Sequence, residues 1–308
     1  MCLSGREPPA LRAIVGVPAY NEGQNIDNLL RLLCRTISAD SRIEKIVIIS
    51  SSTDSTNRIV RGWSLADPKV MLLTERGRSG KASAWNALVE LAEKDGIDAM
   101  IYMGADNIPL HNSMSLLLDE LEKGFGIVGG RPVPVDSKDS LVGWCTNLQW
   151  NLHHVINRDV KPKVSGELCA FRIKVVREMP PGLINDDTYL ERLFEMRGYK
   201  VGYCQFAEAL LKGPSTLSDL MNQRRRIYIG HHQIRMYTGH RPSTIWYGNL
   251  LLIKKALPSW GFRPFIYLIS DILLQGIAYI TAKLDFHFGN LPYKWKMAQT
   301  TKSLKYWI

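Results

Sequence analysis

The first third of the sequence alternates short apolar runs with amphipathic stretches, and that alternation leaves few folds open. Residues 13–20 (AIVGVPAY), 45–50 (KIVIIS), 70–73 (VMLL) and 99–103 (AMIYM) read as strands, rich in aliphatic residues and bounded by turn residues. Between them Ile26, Leu29, Leu30 and Leu33 recur at helical spacing, a helix is expected to open near Asp54 or Ser55, and residues 82–93 form another. Strands that alternate with helices through short loops predict a mostly parallel α/β sheet with helices on both faces. The loops after successive strands of such a sheet line one edge, where ligands bind. That edge gathers Pro18, Tyr20, Asn21 and Glu22, the Ser/Thr-rich loop from Ser50 to Asp54, the cationic loop ending at Gly80 and Lys81, and Asp106. Taken alone, Asp106-Asn107 ahead of Pro109 is also ordinary turn chemistry. The P-loop look-alike at residues 75–82 fails, because Glu75 stands where the first glycine is required and Ala82 where Ser or Thr is.

The second half is more mixed. Residues 127–135 predict a strand, and residues 141–156 a helix whose Trp144 and Trp150 read as core packing. Residues 164–172 place Gly166 beside a strand. Asn185-Asp186-Asp187 then opens a helix to about Met196, with Gly198 as its stop and two carboxylates favouring the dipole. Residues 217–237 form a helix carrying Gln223, Arg224, Arg225 and Arg226, and His231-His232 after them read as a surface pair. Residues 265–284 are a 20-residue apolar run interrupted by Asp271, Gln275 and Lys283. It is long enough to span a bilayer, but Lys254, Lys255, Arg263 and the aromatic flanks (Trp246, Tyr247, Trp260, Tyr293, Trp295) suit a segment lying in the membrane interface. Amphipathic helices covering the domain are the third option. The expected division is a catalytic domain over residues 1–240 and a helical, basic and aromatic segment over residues 241–308.

Charge separates the two parts. The net charge of +10 over 308 residues is concentrated at one end, where residues 211–308 carry 14 Lys/Arg against three Asp. An anionic partner follows, either phospholipid or nucleic acid. A nucleic-acid-binding protein would leave the converging acidic loops unexplained. Five scattered cysteines suit free thiols in a reducing compartment, and the N-terminal residues lack the apolar core of a signal peptide, so a cytoplasmic location is expected.

In order, VPAYNE, STDST, GKASAWNAL, GADNIP, NDDTYLERLFEMRGYKV and QRRR resemble the family-2 glycosyltransferases of GT-A fold, over residues 13–229. The resemblance implies that Pro18, Tyr20, Glu22, Ser50, Asp54 and Lys81 border a nucleotide-sugar. It makes Asp106 the last acid of a D-x-D element that binds donor and Mg2+ or Mn2+, with Gly104 replacing the first. It assigns Asp187 as catalytic base, with Asp186 beside it, and gives Gln223, Arg225 and Arg226 the diphosphate and acceptor. Ile227 replaces the tryptophan that usually follows, which argues against a processive polysaccharide synthase. The implied reaction is inverting transfer from a nucleotide-diphosphate sugar to a lipid-linked or membrane-presented acceptor at the cytoplasmic face of a membrane. A sugar nucleotidyltransferase is the rival enzyme, although its glycine-rich loop after the first strand is absent.

Overall fold

The computed structural model describes residues 11–110, 112–175, 178–240 and 261–291. The aromatic and basic flanks expected at residues 246–260 and 293–295 lie outside these. The element order is β1 (Ala13–Ala19), α1 (Ile26–Ala39), β2 (Ile43–Ser50), α2 (Thr56–Ala66), β3 (Val70–Thr74), α3 (Lys81–Lys94), β4 (Ala99–Met103), β5 (Asn107–Pro109), α4 (Ser113–Glu122), β6 (Phe125–Pro134), α5 (Leu141–Asp159), β7 (Leu168–Arg172), α6 (Asp186–Met196), β8 (Lys200–Leu211), α7 (Leu217–Thr238) and α8 (Phe262–His287).

The strands form one sheet in the order β3-β2-β1-β4-β7-β6-β8-β5. β1 lies parallel between β2 and β4, and β3 extends that parallel half beyond β2. The chain winds outward from β1 to β3 and then crosses to the other side at β4, which opens a crevice at the strand ends. Beyond β4 the sheet is mixed: β7 runs antiparallel to both β4 and β6, and β8 runs parallel to β6. β5 closes the edge against β8, and Pro109 is tolerated there because an edge strand leaves one side of its ladder unpaired.

Side chains of the central strands alternate between two buried clusters. Val15, Val17, Ile46, Ile48, Ile101 and Met103 pack with Leu29, Leu30, Leu33, Val60, Met114 and Leu117 of α1, α2 and α4. Ile14, Val47, Ile49, Met100 and Tyr102 pack with Trp85, Leu88, Leu190 and Phe194 of α3 and α6 on the other face. A strand buried on both faces reads as a nearly continuous apolar run, which is why β1, β2 and β4 stand out in the sequence.

Three elements were not expected: β5, α4 and β8. One side-chain expectation is also corrected. His231 and His232 are not a surface pair; His231 packs against Tyr228 of its own helix and His232 against Tyr279 and Phe286 of α8. Burial lowers the pKa of both, that of His231 to about 3, so both are neutral at physiological pH. Among the described cysteines, Cys34, Cys145, Cys169 and Cys204 are free thiols, as expected.

Candidate active site

The loops at the ends of β1 to β4 enclose a cavity of about 270 Å3, with Pro18, Tyr20, Glu22, Lys81, Asp106, Gln223 and Arg226 in its walls. Tyr20 carries the Arg78 guanidinium 4.5 Å above its ring centroid, forming a flat cationic wall on the β1 side. Glu22 is buried and accepts a hydrogen bond from Asn25 Nδ2 at 3.0 Å.

Ser50 and Asp54 are not in the walls. The Ser50 hydroxyl is fully buried and donates to Ser52 Oγ at 2.8 Å. Asp54 accepts the backbone N–H groups of Gly23 and Thr56, each at 3.0 Å, and so ties the first loop to the second. Both residues build the wall from behind.

Asp106 sits in a tight turn closed by Asn107 N donating to the Gly104 carbonyl at 3.3 Å. A Cβ on residue 104 would stand 2.7 Å from Asp106 Oδ1 and 2.8 Å from Asn107 Nδ2. Glycine at 104, where the first acid of the motif would be, is therefore what lets these two side chains fold back over the turn. Asn107 Nδ2 then donates to Glu167 Oε2 at 2.9 Å and to the Glu167 carbonyl at 3.1 Å.

The deepest part of the site is a half-buried charge cluster. Lys81 opens α3 and faces Asp186, Glu167 and Asp106; burial works against its charge, but these carboxylates outweigh it and raise its pKa. Arg226 faces the same three acids and Asp187, with burial lowering its pKa; a guanidinium stays charged regardless. Asp187 Oδ2 accepts Gly166 N at 3.1 Å and Oδ1 accepts Thr188 N at 2.6 Å. Burial first, and then the adjacent Asp186, raise the Asp187 pKa above the ordinary carboxylate range. Asp186 accepts a hydrogen bond from the buried Tyr102 hydroxyl at 3.3 Å. Burial also raises Glu167, with Asp106 adding to the effect.

Four carboxyl groups thus share this cluster with two cations. That imbalance suits a divalent cation, and among the described residues no group of three or more Asp, Glu, His or Cys is arranged to hold a metal unaided. One half-buried carboxylate such as Asp106, with oxygens supplied by a diphosphate and water, would be enough for a hard cation.

The three consecutive arginines of α7 go to three places. Arg226 enters the cavity, Arg225 forms an ion pair with Asp285 of α8, and Arg224 faces Asp271 of α8. Arg225, expected at the diphosphate, is therefore directed away from the walls.

Arg78 belongs to the site too, from the cationic loop expected at this edge, whereas Glu167 and Trp150 were missed or misplaced from sequence. Glu167 is a carboxylate placed directly before the apolar strand β7, a legible signal. Trp144 packs edge-on against Tyr267 as core, but Trp150, six residues on, turns into the cavity.

The sequence profile of Glycosyl transferase family 2 matches residues 14–178, more than half of the chain, and that of Glycosyl transferase family group 2 matches residues 100–284. The chain belongs to glycosyl transferase family 2. This glycosyltransferase is 27% identical over 137 residues to a polyprenol monophosphomannose synthase of Mycolicibacterium smegmatis, covering 42% of this chain. The chain spans about half (51%) of the length of that curated relative. Among solved structures, it resembles the mannosyltransferase PcManGT from Pyrobaculum calidifontis in complex with GDP-Man and Mn2+, with a TM-score of 0.61 and 19% identity over 90% of this chain and 87% of that one. It also resembles mannosyl-3-phosphoglycerate synthase from Rubrobacter xylanophilus, with a TM-score of 0.53 and 13% identity over 77% and 78% of the two chains. At such identities the likeness shows the shared GT-A fold. Family membership removes the nucleotidyltransferase and nucleic-acid-binding alternatives.

Proposed function

We propose that this glycosyltransferase moves a sugar, with inversion, from a nucleotide-diphosphate sugar to a lipid-linked or membrane-presented acceptor at the cytoplasmic face of a membrane, using Mg2+ or Mn2+. The observation that carries the reading is the charge cluster in which Lys81 and Arg226, in the cavity wall with Asp106 and Glu167, also face Asp186 and Asp187, which stand outside the wall.

Each group has a task in such a transfer. The leaving group is a nucleoside diphosphate, whose negative charge grows as the anomeric bond breaks. Lys81 and Arg226 are fixed cations where water is largely excluded, so they stabilise that charge without reorganising. The divalent cation, held by Asp106, adds Lewis-acid stabilisation of the diphosphate when bound. Tyr20 and Arg78 offer a flat surface to the nucleotide. Asp187, with its raised pKa, is matched to taking the proton of an incoming hydroxyl. For an acceptor that is already an anionic phosphate, Asp187 orients rather than deprotonates. The relative from Mycolicibacterium smegmatis, whose name includes a polyprenol phosphate product, supports a lipid acceptor of this kind.

The test is a screen of GDP-, UDP- and dTDP-sugars for metal-dependent thermal stabilisation, comparing wild type with Asp106→Ala. GDP-mannose comes first, because it is bound in the most fully covering structural neighbour reported above. A shift with one donor that needs Mg2+ or Mn2+ and disappears in Asp106→Ala is expected. A shift that survives in the variant and without metal would overturn the metal assignment.

A further inference from the structure

The helix α8 is built the wrong way round for a helix between water and a protein core. Its buried positions are Leu268, Asp271, Gln275, Ala278, Ala282 and Asp285, spaced three and four apart, so half of the inward stripe is polar. Its outward positions include Phe265, Ile266, Ile269, Leu273, Ile277, Ile280 and Leu284, between 42% and 62% exposed. Between Arg263 and Lys283 no exposed position carries a charge. An ordinary surface helix hides its apolar face and wets its polar one. Here the polar groups turn toward the catalytic domain and the apolar ones face out, which is the arrangement an apolar solvent demands.

By length and composition α8 could cross a membrane. Its contacts argue against that. Arg263 and Tyr267 donate to the Asp139 carbonyl at one end, Gln149 Nε2 donates to Asp271 Oδ1 at 3.2 Å, and the Tyr228 hydroxyl donates to Gln275 Oε1 at 2.9 Å. Asp285 pairs with Arg225 near the other end. The helix is thus fastened along nearly all of its 26 residues to α5, α7 and the loop before α5. α7 carries Arg224, Arg225 and Arg226 and cannot accompany a partner through hydrocarbon. A helix fastened in this way lies along the membrane, not across it.

We propose that α8 lies in the plane of an anionic phospholipid surface, with Ile269, Leu273, Ile277 and Ile280 in the acyl boundary. The occupant is lipid rather than protein on two grounds. Among the described residues, the exposed row between Arg263 and Lys283 is apolar and uncharged. The surplus of 11 basic residues in residues 211–308, 14 Lys/Arg against three Asp, is complementary to acidic headgroups. The inference rests on the membrane half of the proposed function and not on its chemistry. α7 joins the two, presenting Gln223 and Arg226 to the cavity and Arg225 to α8.

The test uses the full chain and vesicles of phosphatidylcholine with and without phosphatidylglycerol, and needs neither donor nor acceptor. Flotation with the acidic vesicles is expected, weakened by salt. Leu273→Glu with Ile277→Glu should lower partitioning roughly tenfold or more, because both side chains leave the acyl boundary. Both positions are exposed, so the melting temperature should hold. Fluorophores on cysteines placed at Ile266, Leu273 and Ile280, seven residues apart on one face, should report the same shallow depth by lipid-borne quenchers. A depth series that passes through the bilayer centre would establish a span and overturn the proposal. So would absence of flotation, or a dimer in solution that Leu273→Glu with Ile277→Glu dissolves and that does not bind vesicles. Loss of sugar transfer with intact flotation would instead count against the chemistry alone.

Discussion

Asp187 combines two features that seldom occur together on a structural carboxylate. Its oxygens accept two backbone N–H groups, which favour the charged form, yet burial and the neighbouring Asp186 still raise its pKa. A base is active only when deprotonated, so kcat/KM should rise with pH through a pKa above the ordinary aspartate value. Removing the neighbouring charge in Asp186→Asn should move that acid limb to lower pH. A limb that stays put would show that the pair does not govern it. For a hydroxyl acceptor, Asp187→Asn should lower kcat by about 10²–10⁴-fold while donor-induced thermal stabilisation persists. A loss below about tenfold would point to an acceptor that arrives already anionic.

At the scale of elements, the N-terminus of α6 and the middle of α7 are bolted together. Asn185 stands at the N-cap position of α6 but makes no capping hydrogen bond; its Nδ2 donates instead to the Ile227 carbonyl of α7 at 3.0 Å. Gly230 leaves the room for it, since a Cβ there would lie 2.4 Å from Asn185 Cγ. Asn185 precedes Asp186 and Asp187, and Ile227 follows Arg226, so this one contact sets the base-bearing helix against the cation-bearing one. A small displacement here separates groups that must act in the same transition state, so Asn185→Ala and Gly230→Ala should each lower kcat by about ten- to a hundredfold. Donor KM should stay within about twofold, because the nucleotide walls come from β1 to β3 and are untouched. A parallel rise in KM, or a melting-temperature drop that accounts for the whole loss, would reduce Asn185 to a structural role. None of this was legible in the sequence. The parallel half was, because strands buried on both faces are written as unbroken apolar runs and their loop ends fall at fixed places. β8 was not, because only alternate residues from Lys200 to Leu211 are buried and Phe206 points outward. Nor was the division of labour among Arg224, Arg225 and Arg226. Successive helical residues point about 100° apart, and which neighbour waits in each direction is decided by elements far along the chain.

For the molecule as a whole, the question is whether residues 1–240 stand alone as the catalytic domain. α8 shares a buried cluster with that part, in which Ile184, Tyr228 and Ile229 pack on Ala278 and Ala282. Leu148 and Leu152 of α5 likewise close on Leu268. A chain ending at residue 240 would expose these side chains, strip the partner from Arg225 and leave Arg224 facing no acid on α8. At about 1.5–3 kcal/mol for each large apolar side chain returned to water, the loss is roughly 5 kcal/mol or more, against a total stability of about 5–15 kcal/mol. The site would suffer before the sheet does, because α7 carries Gln223 and Arg226 on its cavity side and the α8 contacts on the other. The truncated chain is therefore expected to keep its α/β circular dichroism but melt well below the full chain and show no donor-dependent shift. If it melted at the full-length temperature and still responded to the donor, α8 would be an anchor attached to a self-sufficient enzyme. If it loses the response, then α8 completes the site, and the helix that meets the lipid also steadies α7, which carries the arginine that meets the leaving group.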